Sequence, residues 1–194
     1  MVMVESTMLA LGTQAPAFVL TDVVSGDTVT LETFADRKAL LIMFICVHCP
    51  FVKHVEQELA KIGQDYLAHG LGILAISSNS IATHPQDAPE HMRTQAKTQG
   101  FEFPYGYDET QAIAKAYTAA CTPDFFLFDA HLTLAYRGQL DDSRPGNGKP
   151  VTGKDLRAAI DAVLAGQPMT MPQVPSIGCN IKWVPGQAPN YFGP

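Results

Sequence analysis

The sequence lacks the features that direct proteins to nucleic acids or membranes. Its 194 residues include 13 Lys and Arg against 19 Asp and Glu, which gives a net charge of −6, and no segment clusters the basic residues. We therefore expect no nucleic-acid partner, because phosphate backbones are bound by basic patches. No apolar run reaches the length of a membrane span, and the N-terminal segment MVMVESTMLALG lacks a basic start. The sequence predicts a soluble, cytoplasmic protein without a membrane partner.

Cysteine is scarce as well. The chain has four cysteines at uneven spacing, namely Cys46, Cys49, Cys121 and Cys179. Small secreted proteins that depend on disulfides are denser in cysteine, so this class is excluded. A catalytic or metal-binding role fits the four residues better. With 46% hydrophobic residues, the chain can bury one sizeable core.

Uninterrupted apolar runs predict two central strands. Residues 39–45 (ALLIMFI) and 71–77 (LGILAIS) are almost entirely apolar, as in strands that are buried on both faces. Between them, apolar residues recur at helical spacing, and Gly70 is expected to end that helix. The residues of this apolar face are Val52, Val55, Leu59, Ile62 and Tyr66. Upstream, residues 18–20 and 28–31 flank turn residues and predict a β-hairpin.

Three further helices are predicted from caps and glycines. The first spans about residues 89–99. Asp108 and Gln111 have the spacing of a capping box, which predicts that a second helix begins there. The last helix is predicted to be capped by Thr152 and to end before Gly166.

The remaining segments predict two strands and a tail. Residues 124–128 and 132–136 are apolar and are joined by a tight turn. From residue 167 onward the sequence contains six prolines and no periodicity, so we expect a surface coil. The order of elements is a βαβ unit followed by a ββα unit, which is the order of the thioredoxin-like fold.

Three segments carry a closer family resemblance. They are GTQAPAF at residues 12–18, FICVHCPFVK at residues 44–53 and CTPDFFLFD at residues 121–129. These segments resemble the alkyl hydroperoxide reductase/thiol-specific antioxidant (AhpC/TSA) branch of thioredoxin-like proteins, the redoxins. The tail segment PSIGCNIKW resembles the end of uncharacterised thioredoxin-family proteins with a similar HCPFVK centre.

The resemblance implies an α/β fold of three layers, with a central mixed β-sheet flanked by helices. An N-terminal β-hairpin extension and a C-terminal coil tail complete it. On this interpretation residues 1–166 form the thioredoxin-like domain, and residues 167–194 are a proline-rich tail that packs on the same domain.

The cysteine pair CVHC follows the first central strand and suggests thiol chemistry. A cysteine at a helix N-terminus is stabilised as a thiolate by free backbone N–H groups, and Cys46 is predicted to occupy that place. Cys49, one turn further, would resolve a mixed disulfide formed at Cys46. His48 lies between the two cysteines and is predicted to favour the Cys46 thiolate through its charge or a hydrogen bond. Pro50 follows directly and belongs to the same centre.

Other histidines are given no role. His54 is expected to face solvent on the first helix. The rest lie in predicted helix ends or loops, namely His69, His84, His91 and His131.

The resemblance also points to Thr122-Pro123. Thioredoxin-like proteins have a cis-proline beside the cysteine pair, where the backbone can bind an extended substrate, and this X-Pro step is the candidate. Cys121 adjoins it and Cys179 lies in the tail. Both are candidates for additional redox thiols, although a buried packing role is expected first.

Two departures from the relatives bear on proton transfer and on peroxide chemistry. The strand at residues 39–45 contains no ionisable side chain, so the buried carboxylate of thioredoxins has no evident equivalent. Peroxiredoxins place a threonine or serine three residues before their peroxidatic cysteine, whereas Cys46 occupies that position relative to Cys49.

Four functions are weighed for the pair. The favoured one is a thiol-disulfide oxidoreductase in which Cys46 attacks and Cys49 resolves. The alternative is a thiol peroxidase with Cys49 as the peroxidatic cysteine. A copper chaperone of the Sco type fits less well, because its cysteines are separated by three residues, whereas two residues separate Cys46 and Cys49. A structural zinc site would need two more ligands, and Cys121 and Cys179 form no second CxxC.

The favoured function fixes the expected partners. They are protein or small-molecule disulfides and thiols, together with a reductase that donates electrons. No bound cofactor or metal is expected, since the cysteines themselves carry two electrons. The polar, glycine-rich loop at residues 137–148 is expected to be a solvated connector.

Overall fold

The structure, a computed structural model, describes residues 3–192. Ten β-strands occur in this range, β1 to β10: Met3–Glu5, Val19–Thr21, Thr28–Thr30, Ala39–Phe44, Leu71–Ser77, Tyr105–Tyr107, Cys121–Thr122, Asp124–Asp129, Leu134–Gly138 and Ile177–Asn180. The α-helices, α1 to α4, are Pro50–Tyr66, Pro89–Gln99, Ala112–Ala116 and Lys154–Leu164. Short 3-10 helices cover Leu31–Phe34, Leu67–His69 and Pro85–Asp87. The first two residues of the predicted domain and the last two of the predicted tail lie outside the described residues.

A mixed five-stranded sheet forms the centre of the molecule. Its strand order is β6-β5-β4-β8-β9. Strands β4, β5 and β6 are parallel, whereas β8 pairs antiparallel with both β4 and β9. The predicted hairpin forms separately from β2 and β3. The predicted thioredoxin-like α/β fold is thus confirmed, with the C-terminal ends of β4 and β5 at one edge, where the CVHC segment begins.

Both faces of the central sheet are covered, which explains the uninterrupted apolar runs. Alternate residues of β4 point to opposite faces. Leu41 and Met43 pack in one core cluster with apolar residues of α1, α2 and α4. Leu40 and Ile42 pack in the other cluster, with residues of α3 and the tail. Every residue of β4 and β5 is buried, and each fully buried Leu or Ile side chain contributes about 1.5–3 kcal/mol.

Two helix starts differ from the predicted ones. The N-cap of α3 is Gln111, so the capping box from Asp108 is wrong. Asp108 instead accepts a hydrogen bond from the backbone N–H of Ala114 at 2.9 Å, six residues further along the chain, whereas a cap bonds the N–H group two or three residues on. The N-cap of α4 is Gly153 rather than Thr152, because Gly153 adopts a left-handed conformation with φ of 64°. Among the described residues, no helix is long and apolar enough to cross a membrane.

The tail is not all coil, which corrects the sequence prediction. Strand β10 lies between β1 and β7 in a three-stranded antiparallel sheet. Cys179 is 1% exposed, and Ile181 and Trp183 are also buried. Pairing with strands that lie far away in the sequence, which no local pattern reveals, holds this segment in place. The tail therefore contributes to the core beside the cysteine pair.

Candidate active site

The CVHC segment joins the C-terminal end of β4 to α1. Strand β4 ends at Phe44, and helix α1 begins at Pro50. Cys46 and Cys49 lie in the connection, and both are 0% exposed. Both are free thiols. The two sulfurs are therefore held inside the protein at the edge where β4 and β5 end.

Cys49, not Cys46, occupies the N-terminus of α1. It is the N-cap residue, with φ of −67° and ψ of 124°, and Pro50 follows in the first helical position. The fixed φ of proline and its missing N–H suit that position. The prediction that Cys46 faces the helix N-terminus is therefore wrong. The Cys49 sulfur makes no cap hydrogen bond, but the nearby backbone N–H of Val52 helps to lower the pKa of its thiol.

The neighbours of the pair separate the two thiols electrostatically. The thiols of Cys179 and Cys46 lower the pKa of Cys49, and the Thr122 hydroxyl and the Val52 N–H act in the same direction. The Thr122 carbonyl oxygen, 3.2 Å from the Cys49 Sγ, accepts a bond from its thiol and so favours the protonated form. Several donors outweigh this one acceptor. Burial, followed by the hydrogen bond to the Cys49 sulfur, raises the pKa of Cys46, so of the two thiols Cys49 is the one whose ionisation is favoured by its neighbours.

Asp87 anchors the CVHC segment, and the sequence interpretation missed it. Its Oδ1 accepts hydrogen bonds from the backbone N–H groups of Val47 and His48 at 2.9 and 3.1 Å. Its Oδ2 accepts from the side chain of Asn79 at 2.8 Å and lies 2.6 Å from Nδ1 of His48. Although burial opposes it, these hydrogen bonds hold the pKa of Asp87 below its ordinary value. The carboxylate also raises the pKa of the Cys46 thiol.

His48 lies beside Cys46, and its ring is hydrogen-bonded to Asp87. The predicted hydrogen bond to Cys46 is absent from the described structure, since Nδ1 of His48 is bound to Asp87. The ring stacks on His84, with centroids 5.1 Å apart, so His84 also belongs to the site. Ligand atoms of Cys46, His48 and Asp87 lie within 4.8 Å of one another. A thiolate, an imidazole and a carboxylate can together bind zinc. The hydrogen bonds that Asp87 makes are nevertheless sufficient to explain the position of its carboxylate.

The predicted Thr122-Pro123 step lies against the pair and has a cis peptide bond. The Thr122 hydroxyl lies 3.5 Å from the Cys46 Sγ, and the Thr122 carbonyl lies 3.2 Å from the Cys49 Sγ. One residue of this loop thus contacts both sulfurs. The structure brings together Cys46, Cys49, Thr122 and Pro123 as the sequence predicts.

The two remaining cysteines lie on opposite sides of β7 and β10. Cys179 pairs with Thr122 in antiparallel register, so both side chains point to the same face, toward the pair. Cys121 precedes Thr122 in β7 and points to the other face. Its thiol lies near the carbonyl oxygens of Pro123 and Ser176, at 3.5 and 3.9 Å. Burial raises the pKa of Cys121, which fits the packing role.

A buried carboxylate exists in the fold, but on the far side of the sheet. Asp124 is 0% exposed, and burial raises its pKa to about 7. It is the antiparallel partner of Phe44, whose side chain belongs to the core cluster opposite the thiols. Its Oδ1 has no hydrogen-bond partner among the described residues. Asp124 is therefore not positioned to exchange protons with the pair.

The loop at residues 137–148 is ordered by its own side chains. Asp141 is buried and accepts hydrogen bonds from three backbone N–H groups, one of them that of Ser143 at 2.9 Å. Arg144 donates to the Asp141 carbonyl at 2.6 Å. His54, predicted to face solvent, is instead half-buried, with Nε2 2.7 Å from the Ser143 hydroxyl. These contacts order the loop and fix it onto α1.

Two solved structures closely resemble this chain. An uncharacterized conserved protein from Geobacillus kaustophilus is 56% identical with a TM-score of 0.93, and the match covers 96% of this chain and 98% of that chain. A hypothetical protein from Sinorhizobium meliloti 1021 is 52% identical with a TM-score of 0.92, over 94% of this chain and 99% of that one. Comparison with curated proteins finds no match.

More distant structures support the fold. A putative thiol:disulfide interchange protein DsbE from Chlorobium tepidum is 18% identical with a TM-score of 0.63, over 80% of this chain and 99% of that one. Its likeness confirms the thioredoxin-like fold. The model of the AhpC/TSA family matches residues 11–137, which hold the CVHC segment and the Thr122-Pro123 step. The resemblance seen in the sequence is thereby confirmed, and the chain belongs to the AhpC/TSA family.

Proposed function

We propose that the protein is a thiol-disulfide oxidoreductase whose Cys46 and Cys49 form a reversible disulfide. The observation that carries the proposal is the contact of both sulfurs with Thr122, at 3.5 and 3.2 Å, beside the cis-proline. Two thiols held by one residue are close enough for one to attack a disulfide formed at the other. Membership of a redox family supports this function.

The charge distribution favours Cys49 as the attacking thiol. The sequence interpretation gave this role to Cys46, on the expectation that Cys46 lies at the helix N-terminus. Because Cys49 holds that position, its thiolate would attack a substrate disulfide, forming a mixed disulfide and releasing one substrate thiolate. The Cys46 thiol then loses its proton and attacks the Cys49 sulfur, which releases the second substrate thiolate. A reductase or a small thiol must afterwards return two electrons to the pair.

Access requires movement of the groups that cover the thiols. Both cysteines are fully buried. A substrate disulfide, however, must come into contact with the attacking cysteine sulfur, in line with its own S–S bond. His48 and His84 are half-buried and stack at the border of the site. We propose that the segment carrying His84 and Asp87 moves when a substrate binds.

A thiol peroxidase is the second candidate, favoured by the thiolate at Cys49. The Cys49-Pro50 step resembles the Cys-Pro step of peroxiredoxins, and Cys49 would be oxidised by a peroxide to a sulfenic acid. Against it stands Cys46, which takes the position of the hydroxyl residue that would polarise the peroxide.

Two assays on one sample test the proposal. We expect dithiothreitol-dependent reduction of a protein disulfide to exceed consumption of hydrogen peroxide, and Cys121→Ser to leave both rates unchanged. Loss of both activities in the double variant Cys46→Ser/Cys49→Ser would link disulfide reduction and peroxide consumption to the cysteine pair. Peroxide consumption without disulfide reduction would replace the proposal by the peroxidase. The cytoplasmic location stays a prediction, which cell fractionation checks.

A further inference from the structure

Cys179 lies on the same side of the tail sheet as the candidate active site. Residue pairs directly opposite in antiparallel strands point to the same face, and Cys179 is opposite Thr122. The Thr122 hydroxyl is 3.5 Å from the Cys46 Sγ, which shows that this face is the one toward the pair. Cys179 is 1% exposed and belongs to the same core cluster as Cys46 and Cys49. The fold therefore adds a third thiol to the site from the far end of the sequence.

The approach of β10 to the cis-proline loop is unusually close. A Cβ on Gly178 would lie 2.0 Å from the Thr122 carbonyl oxygen, so only glycine permits this packing. The same carbonyl contacts the Cys49 Sγ at 3.2 Å. The Cys179 sulfur also faces the backbone N–H of Phe51, in the first turn of α1. Cys49 and Cys179 are thus both placed at the N-terminus of α1.

Resting on the proposed function, we infer that Cys179 is a second resolving thiol for Cys49. In this step the Cys179 thiol loses its proton and attacks the Cys49 sulfur of a mixed disulfide. The Cys49–Cys179 bond forms, the bond between Cys49 and the substrate breaks, and the substrate leaves as a thiolate that takes up the proton. No further oxidant is needed, because the substrate disulfide takes up the two electrons and has left as two thiolates once this step is complete. Cys49 can then exchange its disulfide partner between Cys179 and Cys46.

The electrostatics make Cys179 available only after Cys49 has reacted. The hydrogen bond to the Cys49 sulfur, followed by burial, raises the pKa of Cys179 and keeps it protonated in the reduced protein. Once Cys49 is in a disulfide, its charge is gone, while Lys182 still favours the Cys179 thiolate. Cys46 remains beside Asp87, which opposes its ionisation. Of the two thiols that could resolve the mixed disulfide, Cys179 has the cation Lys182 nearby, whereas Cys46 has the carboxylate of Asp87 nearby.

Tryptic peptides separate the two disulfides. Cleavage after Lys and Arg puts Cys46 and Cys49 on residues 39–53, Cys179 on residues 158–182 and Cys121 on residues 116–137. A Cys46–Cys49 disulfide leaves residues 39–53 as a single peptide. A Cys49–Cys179 disulfide joins residues 39–53 to residues 158–182.

The test treats reduced variants with oxidised glutathione and maps the products over time. In Cys46→Ser we expect glutathione to leave Cys49 and residues 39–53 to become joined to 158–182. In the double variants of Cys46→Ser with Cys179→Ser or Cys179→Ala, glutathione should stay on Cys49, with a half-life at least about tenfold longer. Cys121→Ser in the Cys46→Ser background is the control and should behave as Cys46→Ser does. Thermal unfolding of each variant checks that it is folded.

The outcomes distinguish this inference from the proposed function. Equal lifetimes of the glutathione adduct with and without Cys179 would overturn the inference while leaving disulfide exchange at Cys49 intact. An adduct at Cys46 in Cys49→Ser, with none at Cys49 in Cys46→Ser, would also overturn it, because Cys46 would then be the attacking thiol. No reaction at either cysteine in the wild type would overturn the proposed function and the inference together.

Discussion

The carboxylate of Asp87 lies 2.6 Å from the Nδ1 of His48 and also accepts the backbone N–H of the same residue. One acidic side chain from the loop after β5 thus fixes both the backbone and the ring between the two cysteines. The carboxylate has no exposed surface. Its charge therefore acts on the thiols through a protein interior that screens it weakly.

Asp87→Asn should make the pair more oxidising. The substitution removes a buried negative charge beside the thiols, so a thiolate in the reduced pair, and with it the reduced form, gains stability relative to the disulfide. We expect a less negative reduction potential, by about 30 mV for each 1.4 kcal/mol of that gain. The loss of charged hydrogen bonds should also lower the free energy of unfolding by about 1–3 kcal/mol. Equilibration with glutathione and denaturant titration measure the two effects.

Asp36→Asn is the matched control for Asp87→Asn, since Asp36 is exposed. Asp36→Asn should leave the reduction potential and the free energy of unfolding unchanged. A more negative potential in Asp87→Asn would contradict the electrostatic role and leave Asp87 only its structural one.

His48→Ala should shift the pair in the opposite direction. Without the ring, the Asp87 carboxylate loses one partner, and its charge acts more strongly on Cys46. We expect a higher apparent thiol pKa and a more negative reduction potential, measured by the pH dependence of alkylation and by glutathione equilibration. His69→Ala, on an exposed residue beyond the other end of α1, is the control. Unchanged values in His48→Ala would show that the ring does not tune the thiols.

Serine variants identify the attacking thiol. If Cys49 attacks, Cys46→Ser should still form a mixed disulfide with a substrate, and Cys49→Ser should form none. The sequence interpretation, with Cys46 attacking, predicts the reverse. Mass spectrometry of the protein after exposure to oxidised glutathione decides between them. Trapping in Cys49→Ser alone would contradict the assignment drawn from the helix N-terminus.

Asp124→Asn should remove a pH dependence of stability. Burial raises the pKa of Asp124 from 3.8 to about 7, so the folded state binds this proton more tightly than the unfolded state does. The contribution of protonated Asp124 to the free energy of unfolding is fully present below pH 3.8 and is lost as the pH rises to about 7. Between these values the wild type should lose up to about 4 kcal/mol relative to Asp124→Asn.

Denaturant titrations of both proteins from pH 4 to 8 measure the difference. Asp36→Asn again serves as the control and should parallel the wild type. A difference that does not change with pH would show that Asp124 keeps an ordinary pKa in the folded state.

The central sheet and the cysteine pair were predictable because their signals are local. The apolar runs of β4 and β5 indicated burial on both faces, and the CVHC spacing indicated a dithiol. The helix start was open to local inference too. Proline in the first helical position marks the residue before it as the cap, and Pro50 therefore indicated Cys49.

Asp87 and β10 could not be found in this way. Asp87 lies in a polar loop whose residues show no periodicity, and its role depends on where β5 ends relative to β4. The strand β10 is defined by its partners, β1 and β7, and a proline-rich segment gives no sign of them. A hint was available for Asp87, because loops that follow neighbouring parallel strands meet at one edge of the sheet.

The tail sheet also sets an order for folding. In this sheet Met3 pairs with Cys179, so residues near the two ends of the described chain are brought together. By contrast, β4, α1 and β5 follow one another directly in the sequence. Contacts between distant residues carry a larger loop-closure cost and form late. In oxidative refolding we therefore expect Cys46 and Cys49 to meet before Cys179 arrives, so the first disulfide to appear should be the local one.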